Sequence, residues 1–273
     1  MMVGHRSLLA VTAHPDDETF IFGGTLARYA AEGVEVHLVV GCLDARIDGS
    51  VRREELRCVS ETLGLASVTV LDYEAPALAG DLSDSRVLAV AGLVREAIER
   101  IHPRAVLTFD STGGTGEADH ILMGRATATA FESMVSVDDH DLRTPKLYVG
   151  HFGRKLMRFG TSALRMAPGR DPRRFGPGVG VDLVAALDAS PSATTFIDVR
   201  RYLGIRRLAV DCHQSQLLGA PWILRQYERL PAGVRGALFR REVYARVWPP
   251  APTGLREESF FEPDTLSDLT DDT

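Results

Sequence analysis

Short runs of aliphatic and β-branched residues alternate with stretches of helical period from Ser7 to beyond Ile101, and this alternation leaves few folds open to the chain. Ser7–Ala13, Val34–Val40, Val68–Tyr73 and Ala105–Asp110 read as buried strands. Between them lie a helix carrying Phe20, Leu26 and Tyr29, a charged amphipathic helix from Val51 to Leu63 closed by Gly64, and a helix from Ser85 to Ile101 stopped by Pro103. Parallel strands need crossover connections, which helices supply. The expected class is therefore α/β: a Rossmann-like, mostly parallel sheet with helices on both faces. A helix from His120 to Met134, strands at Lys146–Phe152 and Thr195–Val199, a helix from Tyr202 to Gln216 and a late strand at Arg241–Trp248 add a C-terminal extension.

The 273 residues suit one large domain, expected over residues 1–255. Within it, the Gly- and Pro-containing stretch from Lys155 to Pro177 holds Lys155, Arg158, Arg165, Arg170, Arg173 and Arg174 against a single acid, Asp171. Residues 155–194 are expected as an insertion or lid, whose arginines suit anionic groups, unless they form a solvated loop or an oligomer contact. Residues 256–273 carry seven acids against Arg256 without periodicity, which predicts a flexible acidic tail. A net charge of −6 argues against nucleic acid as a partner. The first apolar run meets charged residues too early for a signal peptide or membrane span, so a cytoplasmic protein is expected. Self-association into a homo-oligomer stays open. Cys42, Cys58 and Cys212 are odd in number and lack CxxC spacing, so neither a disulfide framework nor a cysteine zinc site is expected, and a reducing compartment fits.

In sheets of this kind ligands gather beyond the carboxyl ends of the strands. The loops there are Ala13–Glu18, Gly41–Asp48, Asp72–Ala77 and Asp110–His120. The first contains His14, Asp16 and Asp17, and an imidazole and a carboxylate three residues apart on a turn can converge on one divalent ion. The last contains Glu117, Asp119 and His120 behind a glycine-rich stretch. Taken alone, the first cluster also reads as a helix cap at Asp16 or Asp17 with His14 hydrogen-bonded locally, and Asp119-His120 as a helix N-cap with a solvated histidine. Together on one sheet edge, His14, Asp17 and His120 make a two-histidine, one-carboxylate set with a position open to water, a catalytic rather than a structural pattern.

The residues Ala13-His14-Pro15-Asp16-Asp17-Glu18 resemble the signature loop of the PIG-L or LmbE-like zinc-dependent N-deacetylases. The resemblance covers roughly residues 7 to 216. It includes the loop Glu117 to His120, an Arg-x-x-Glu-Leu helix start at Arg52–Leu56 and a His-x-Ser-Gln segment at His213–Gln216. It implies hydrolysis of the acetamide of an N-acetylglucosaminyl conjugate or a related amide, with Zn2+ as cofactor. It further implies His14, Asp17 and His120 as metal ligands, Asp16 as general base and Arg52 as a residue that binds a substrate hydroxyl.

Two departures bear on the substrate. Glu117 stands where many members carry a histidine that helps stabilise the oxyanion, so it is placed among the substrate-facing residues, where an ionised carboxylate would repel that oxyanion. The loop Gly41 to Arg46 also lacks the usual threonine and glycine pattern. Two other functions stay in view: a non-catalytic sugar- or metal-binding member of the same fold, and a nucleotide-binding or transferase domain using Gly113–Gly116, which lacks phosphate-loop spacing. The His213–Gln216 segment reads equally well as polar packing and is left out of the catalytic set.

Overall fold

Ser7–Thr12 forms β1, and all six residues are buried because both faces of the strand are covered. Leu8 and Ala10 enter one core with α1 (Gly23–Ala31), α2 (Gly49–Leu63) and α7 (Leu203–Cys212). Leu9 and Val11 enter a second core with α3 (Asp84–Ile101) and α4 (Ala118–Met134). This division follows from the two-residue side-chain period of a strand. The computed structural model describes residues 6–43, 47–71, 73, 82–114, 116–134, 145–151, 154–166, 169, 171–174, 182–219, 233 and 239–261.

The sheet is completed by β2 (Glu35–Val40), β3 (Ser67–Val70), β4 (Ala105–Phe109), β5 (Lys146–His151), β6 (Thr195–Asp198) and β7 (Arg241–Trp248). Its strand order is β3-β2-β1-β4-β5-β7-β6. Strands β1 to β5 run parallel, and β7 lies antiparallel between β5 and β6. Leu8 of β1 pairs with Val36 on one side and Ala105 on the other, so the strand order reverses between β1 and β4. A crevice opens at such a reversal beyond the carboxyl ends of the two strands, which here are the ends that carry both motif loops. The expected Rossmann-like α/β class is the one observed. Among the described residues no helix is long and apolar enough to cross a membrane.

Several local expectations need correction. Cys58 and Cys212 form a disulfide that ties α2 to α7 across 154 residues of sequence, while Cys42 is free and buried. An odd count guarantees one unpaired thiol but says nothing of the other two, and a separation this long leaves no mark in the spacing. The thiol count therefore no longer supports a reducing compartment. The helix read as Tyr202–Gln216 breaks at His213, between α7 and α8 (Gln214–Gly219).

The start of the expected acidic tail also belongs to the fold. Glu257 is buried, accepting hydrogen bonds from Thr195 Oγ1 at 2.7 Å and Arg246 Nη1 at 2.9 Å. Phe260 packs against the rings of Tyr148 and Tyr244. Composition averaged over the tail hides one acid with a buried cationic partner and one core aromatic; residues 262–273 lie outside the described residues. In the basic stretch, α5 (Arg154–Met166) and α6 (Leu183–Ala189) are helical, and Arg173 pairs with Asp182 at 3.1 Å on the surface.

One close approach anchors the site to the sheet. A π-helical turn, Glu18–Phe22, follows the first motif loop, and a Cβ on Gly150 of β5 would overlap the Phe22 ring and crowd Ile21 Cγ2 at 3.2 Å. Gly150→Ala is expected to cost about 1–3 kcal/mol, because buried overpacking forces a ring off its position. The urea midpoint measures it, and an unchanged midpoint would show that Phe22 yields freely.

Candidate active site

At the end of β1 the Asp17 carboxylate folds back on its own loop. Its Oδ2 accepts the backbone N–H groups of Ala13 at 3.1 Å and His14 at 2.8 Å. Its Oδ1 lies 3.2 Å from Nε2 of His120, on the first turn of α4. The His120 ring stacks on Phe109 with centroids 4.4 Å apart, and its Nδ1 meets the carbonyl of Gly113 at 3.1 Å. A carbonyl only accepts, so Nδ1 carries a proton, and Nε2 is the nitrogen turned to Asp17 and Glu117. Gly113 has φ 66°, and a Cβ there would come within 2.7 Å of His120 Cβ, so only glycine lets the loop pass so close.

His14 comes from the opposite side, its ring centroid 5.5 Å from that of His120. Its Nε2 is 2.9 Å from Asp119 Oδ2, the carboxylate–imidazole pairing that commonly orients metal-binding histidines. Glu117 is half exposed at the mouth, with Oε2 3.6 Å from His120 Nε2. Donor atoms of His14, Glu117 and His120 all fall within 4.8 Å of one another, as do those of His14, Cys42 and Asp119. Two donors on a tetrahedral ion with bonds of about 2.0–2.1 Å sit roughly 3.3 Å apart, so the spacing of His120 from Asp17 and Glu117 fits a small divalent cation.

Asp16 has a positive φ of 114°, rare outside glycine, asparagine and aspartate. Its N–H donates to Glu18 Oε2 at 3.0 Å, and its carbonyl accepts Thr19 Oγ1 at 2.7 Å. Arg52, expected to face a substrate hydroxyl, is fully buried instead. Its Nη2 donates to the carbonyl of Pro15, its Nη1 to Glu55 Oε2 at 2.9 Å, and it approaches Asp16 Oδ1 at 3.9 Å. The guanidinium thus braces the loop from beneath rather than opening onto the crevice.

The charges are strongly coupled. Burial and then the neighbouring Asp17 and Glu18 push the Asp16 carboxyl up to about 8, against the attraction of His213 and Arg52. Asp17 is held down at about 2, where the His120 and His14 imidazoles overcome a burial that works the other way. Burial also opposes charge on His14 and His120, yet Asp119 lifts the former to about 11 and Asp17 the latter to about 9. Anion and cation are interleaved, and Asp16, near 8, falls in the range of a general base at neutral pH.

The structure brings His14, Glu117 and His120 together and Asp17 against His120, holds Asp16 on the same loop as His14 and Asp17, and buries Arg52 beneath that loop. Sequence reasoning missed Asp119 as the partner of His14, although it adjoins His120. It also missed the pair formed by Glu18 and His213, whose signal was the unassigned His213–Gln216 segment. Among the described residues of the glycine-rich loop, the N–H groups of Thr112 and Gly114 are spent on Asp110 Oδ1 at 2.9 and 3.1 Å, and those of Gly113 and Gly116 on backbone carbonyls, which leaves none of these four for a phosphate.

Fold and site together define a doubly wound α/β protein with a histidine–carboxylate centre at its switch point. A family described as PIG-L, GlcNAc-PI de-N-acetylase, matches residues 9–131. The chain is 31% identical over 243 residues to the 1D-myo-inositol 2-acetamido-2-deoxy-alpha-D-glucopyranoside deacetylase of Acidothermus cellulolyticus, covering 78% of this chain and 80% of that protein. It is likewise 31% identical over 245 residues to the enzyme of the same name from Thermobifida fusca, covering 78% and 84%. The chain belongs to the PIG-L family of deacetylases, which are amide hydrolases.

Solved structures agree on the fold. The N,N'-diacetylchitobiose deacetylase of Pyrococcus horikoshii aligns with a TM-score of 0.54 at 18% identity, covering 97% of this chain and 88% of that one. The 4-carboxy-2-hydroxymuconate hydratase of Pseudomonas putida KT2440 aligns with a TM-score of 0.57 at 18% identity, covering 92% and 99%. One fold therefore carries two chemistries, and the site must decide between them.

Proposed function

We propose that this chain is a zinc-dependent hydrolase that removes an acetyl or short acyl group from the amide nitrogen of an N-acetylglucosaminyl-type conjugate. What supports this reading is that donor atoms of His14, Glu117 and His120 lie within 4.8 Å of one another, with Asp17 Oδ1 3.2 Å from His120 Nε2 and Asp16 on the same loop as His14 and Asp17. His14, Asp17 and His120 would hold the ion, with the exposed Glu117 within reach of the same space. A divalent ion there supplies a Lewis acid for the acyl oxygen and lowers the pKa of water toward about 7.

The chain's own residues do the rest. Asp16 takes the proton of the attacking water and returns it to the departing amine. Asp119 and the Gly113 carbonyl hold the two imidazole rings in orientation. Arg52 holds Pro15, and with it the base, from below. Glu117 faces substrate at the mouth, where its carboxylate accepts hydrogen bonds from sugar or inositol hydroxyls and disfavours an acyl oxygen on its own side.

The test loads the purified protein with zinc and supplies N-acetylglucosaminyl-inositol and simpler N-acetylglucosaminides. Equal release of acetate and primary amine is expected, abolished by a chelator and restored by zinc. Metal-loaded protein that releases no amine from any of them overturns the proposal, and consumption of an olefinic acid without amine release would place the chain with the hydratase.

A further inference from the structure

The loop that carries Asp16 is gripped from two sides by relays whose outer members, His213 and Ser215, have no place in the chemistry described so far. On one side His213 Nε2 meets Glu18 Oε1 at 2.7 Å, and neither side chain has any exposure to solvent. The other carboxylate oxygen of Glu18 accepts the Asp16 N–H. On the other side Ser215 donates its N–H and Oγ to Glu55 at 2.7 and 2.9 Å, Glu55 accepts from Arg52, and Arg52 donates to the Pro15 carbonyl. Both arms end on the one peptide unit that precedes Asp16, the first on its N–H and the second on its carbonyl, and both begin at the junction of α7 and α8.

Resting on the reading of Asp16 as the base, we propose that His213, acting through Glu18, and Ser215, acting through Glu55 and Arg52, are positioning residues that hold Asp16 in its positive-φ conformation. A non-glycine residue keeps such a backbone only where its surroundings over-determine it, and here the peptide group before Asp16 is tied at both its N–H and its carbonyl to buried charged side chains. The break in the helix at His213 acquires a purpose: a continuous helix from Tyr202 to Gln216 would turn the imidazole and the Ser215 N–H away from their acceptors. The disulfide adds a covalent tie at the same place, joining Cys212, next to His213, to Cys58, three residues beyond Glu55. His213 and Ser215 act on the base through Glu18, Glu55 and Arg52.

The test compares His213→Leu, which fills the space but donates nothing, with His213→Gln, which can donate to Glu18. Amide hydrogen exchange at Asp16 is read against exchange at Leu9 and Val11 of β1. Positioning predicts at least 10-fold faster exchange at Asp16 in the leucine variant, near-parental exchange in the glutamine variant, and no change at Leu9 or Val11. In parallel, kcat per bound metal should fall about 10–100-fold in the leucine variant with KM near the parent's, as for outer partners of catalytic groups, and the glutamine variant should recover most of it. Equal Asp16 exchange in parent and leucine variant overturns the proposal, as does a leucine variant at least as active per metal as the glutamine variant. Should the leucine variant not fold, Ser215→Ala tests the second arm: several-fold faster exchange at Asp16 is expected, and unchanged exchange refutes it. A parent that turns over no N-acetylated conjugate defeats the hydrolase reading alone, because the exchange measurement needs no substrate.

Discussion

Asp16→Asn is expected to keep bound metal and a near-parental KM while losing about 10²-fold or more in turnover, the usual contribution of a positioned general base. The substitution isolates the chemistry because asparagine tolerates a positive φ almost as well as aspartate, so the loop at φ 114° need not rearrange. What disappears is a carboxylate able to accept a proton. The stability of the metal-free protein gives an independent reading. A carboxyl raised to about 8 in the fold against 3.8 in the open chain makes its ionisation unfavourable to folding, and the penalty grows as pH rises from 4 to 8. Asparagine removes that penalty, so the metal-free variant should be at least as stable as the parent, with its advantage widening over that interval. Turnover, metal content and urea midpoints at pH 5 and 8 check the three statements. Parental turnover would remove Asp16 from the chemistry, and an advantage that narrowed with pH would show that its carboxyl is not raised.

Much of the crevice could be read from sequence because its logic is local. A six-residue loop after a buried strand carries His14, Asp16 and Asp17, and the topology of a parallel sheet fixes which strand ends face the ligand, so His120 could be joined to them across a hundred residues. Strand boundaries were readable for the same reason: β1, β4 and β7 are short apolar or alternating runs with clear ends. What stayed hidden depends on contacts that leave no period. Arg52 lies in a charged amphipathic helix, where an arginine reads as solvent-facing, yet it is buried with Nη1 on Glu55 and Nη2 on the Pro15 carbonyl. Cys58 and Cys212 are distant in sequence and neighbours only once α2 and α7 pack. Glu257 sits in an acidic run and becomes part of the core through Arg246, Thr195 and Tyr148. Each is a polar or covalent pairing between distant segments, and periodicity, which reports solvent against core, carries no signal for it.

His120→Ala is the variant expected to separate a catalytic ion from a structural one. Loss of a residue that merely orients a metal-binding imidazole commonly costs 10–100-fold in metal affinity, so loss of a ligand should cost about 10²-fold or more, and hydrolysis at equimolar metal should vanish. The fold should persist. His120 belongs to the first turn of α4 at the sheet edge, while both cores are closed by β1, β2 and β4 without it. Its removal does forfeit the stack on Phe109 and the bond to Gly113, which should lower stability by about 1–3 kcal/mol, within the range of ordinary buried substitutions. The decisive comparison is therefore with the parent stripped of metal. If the ion is catalytic, stripped parent and variant both unfold cooperatively with similar far-ultraviolet spectra, and only the parent gains a higher thermal midpoint on adding zinc. A structural ion predicts that the stripped parent loses its cooperative transition altogether, since the binding free energy of such sites is folding free energy. A variant that keeps stoichiometric zinc after dialysis would exclude His120 as a principal ligand, and the centre would then have to be built on His14 with Cys42 and Asp119, the other donor set that closes to within 4.8 Å.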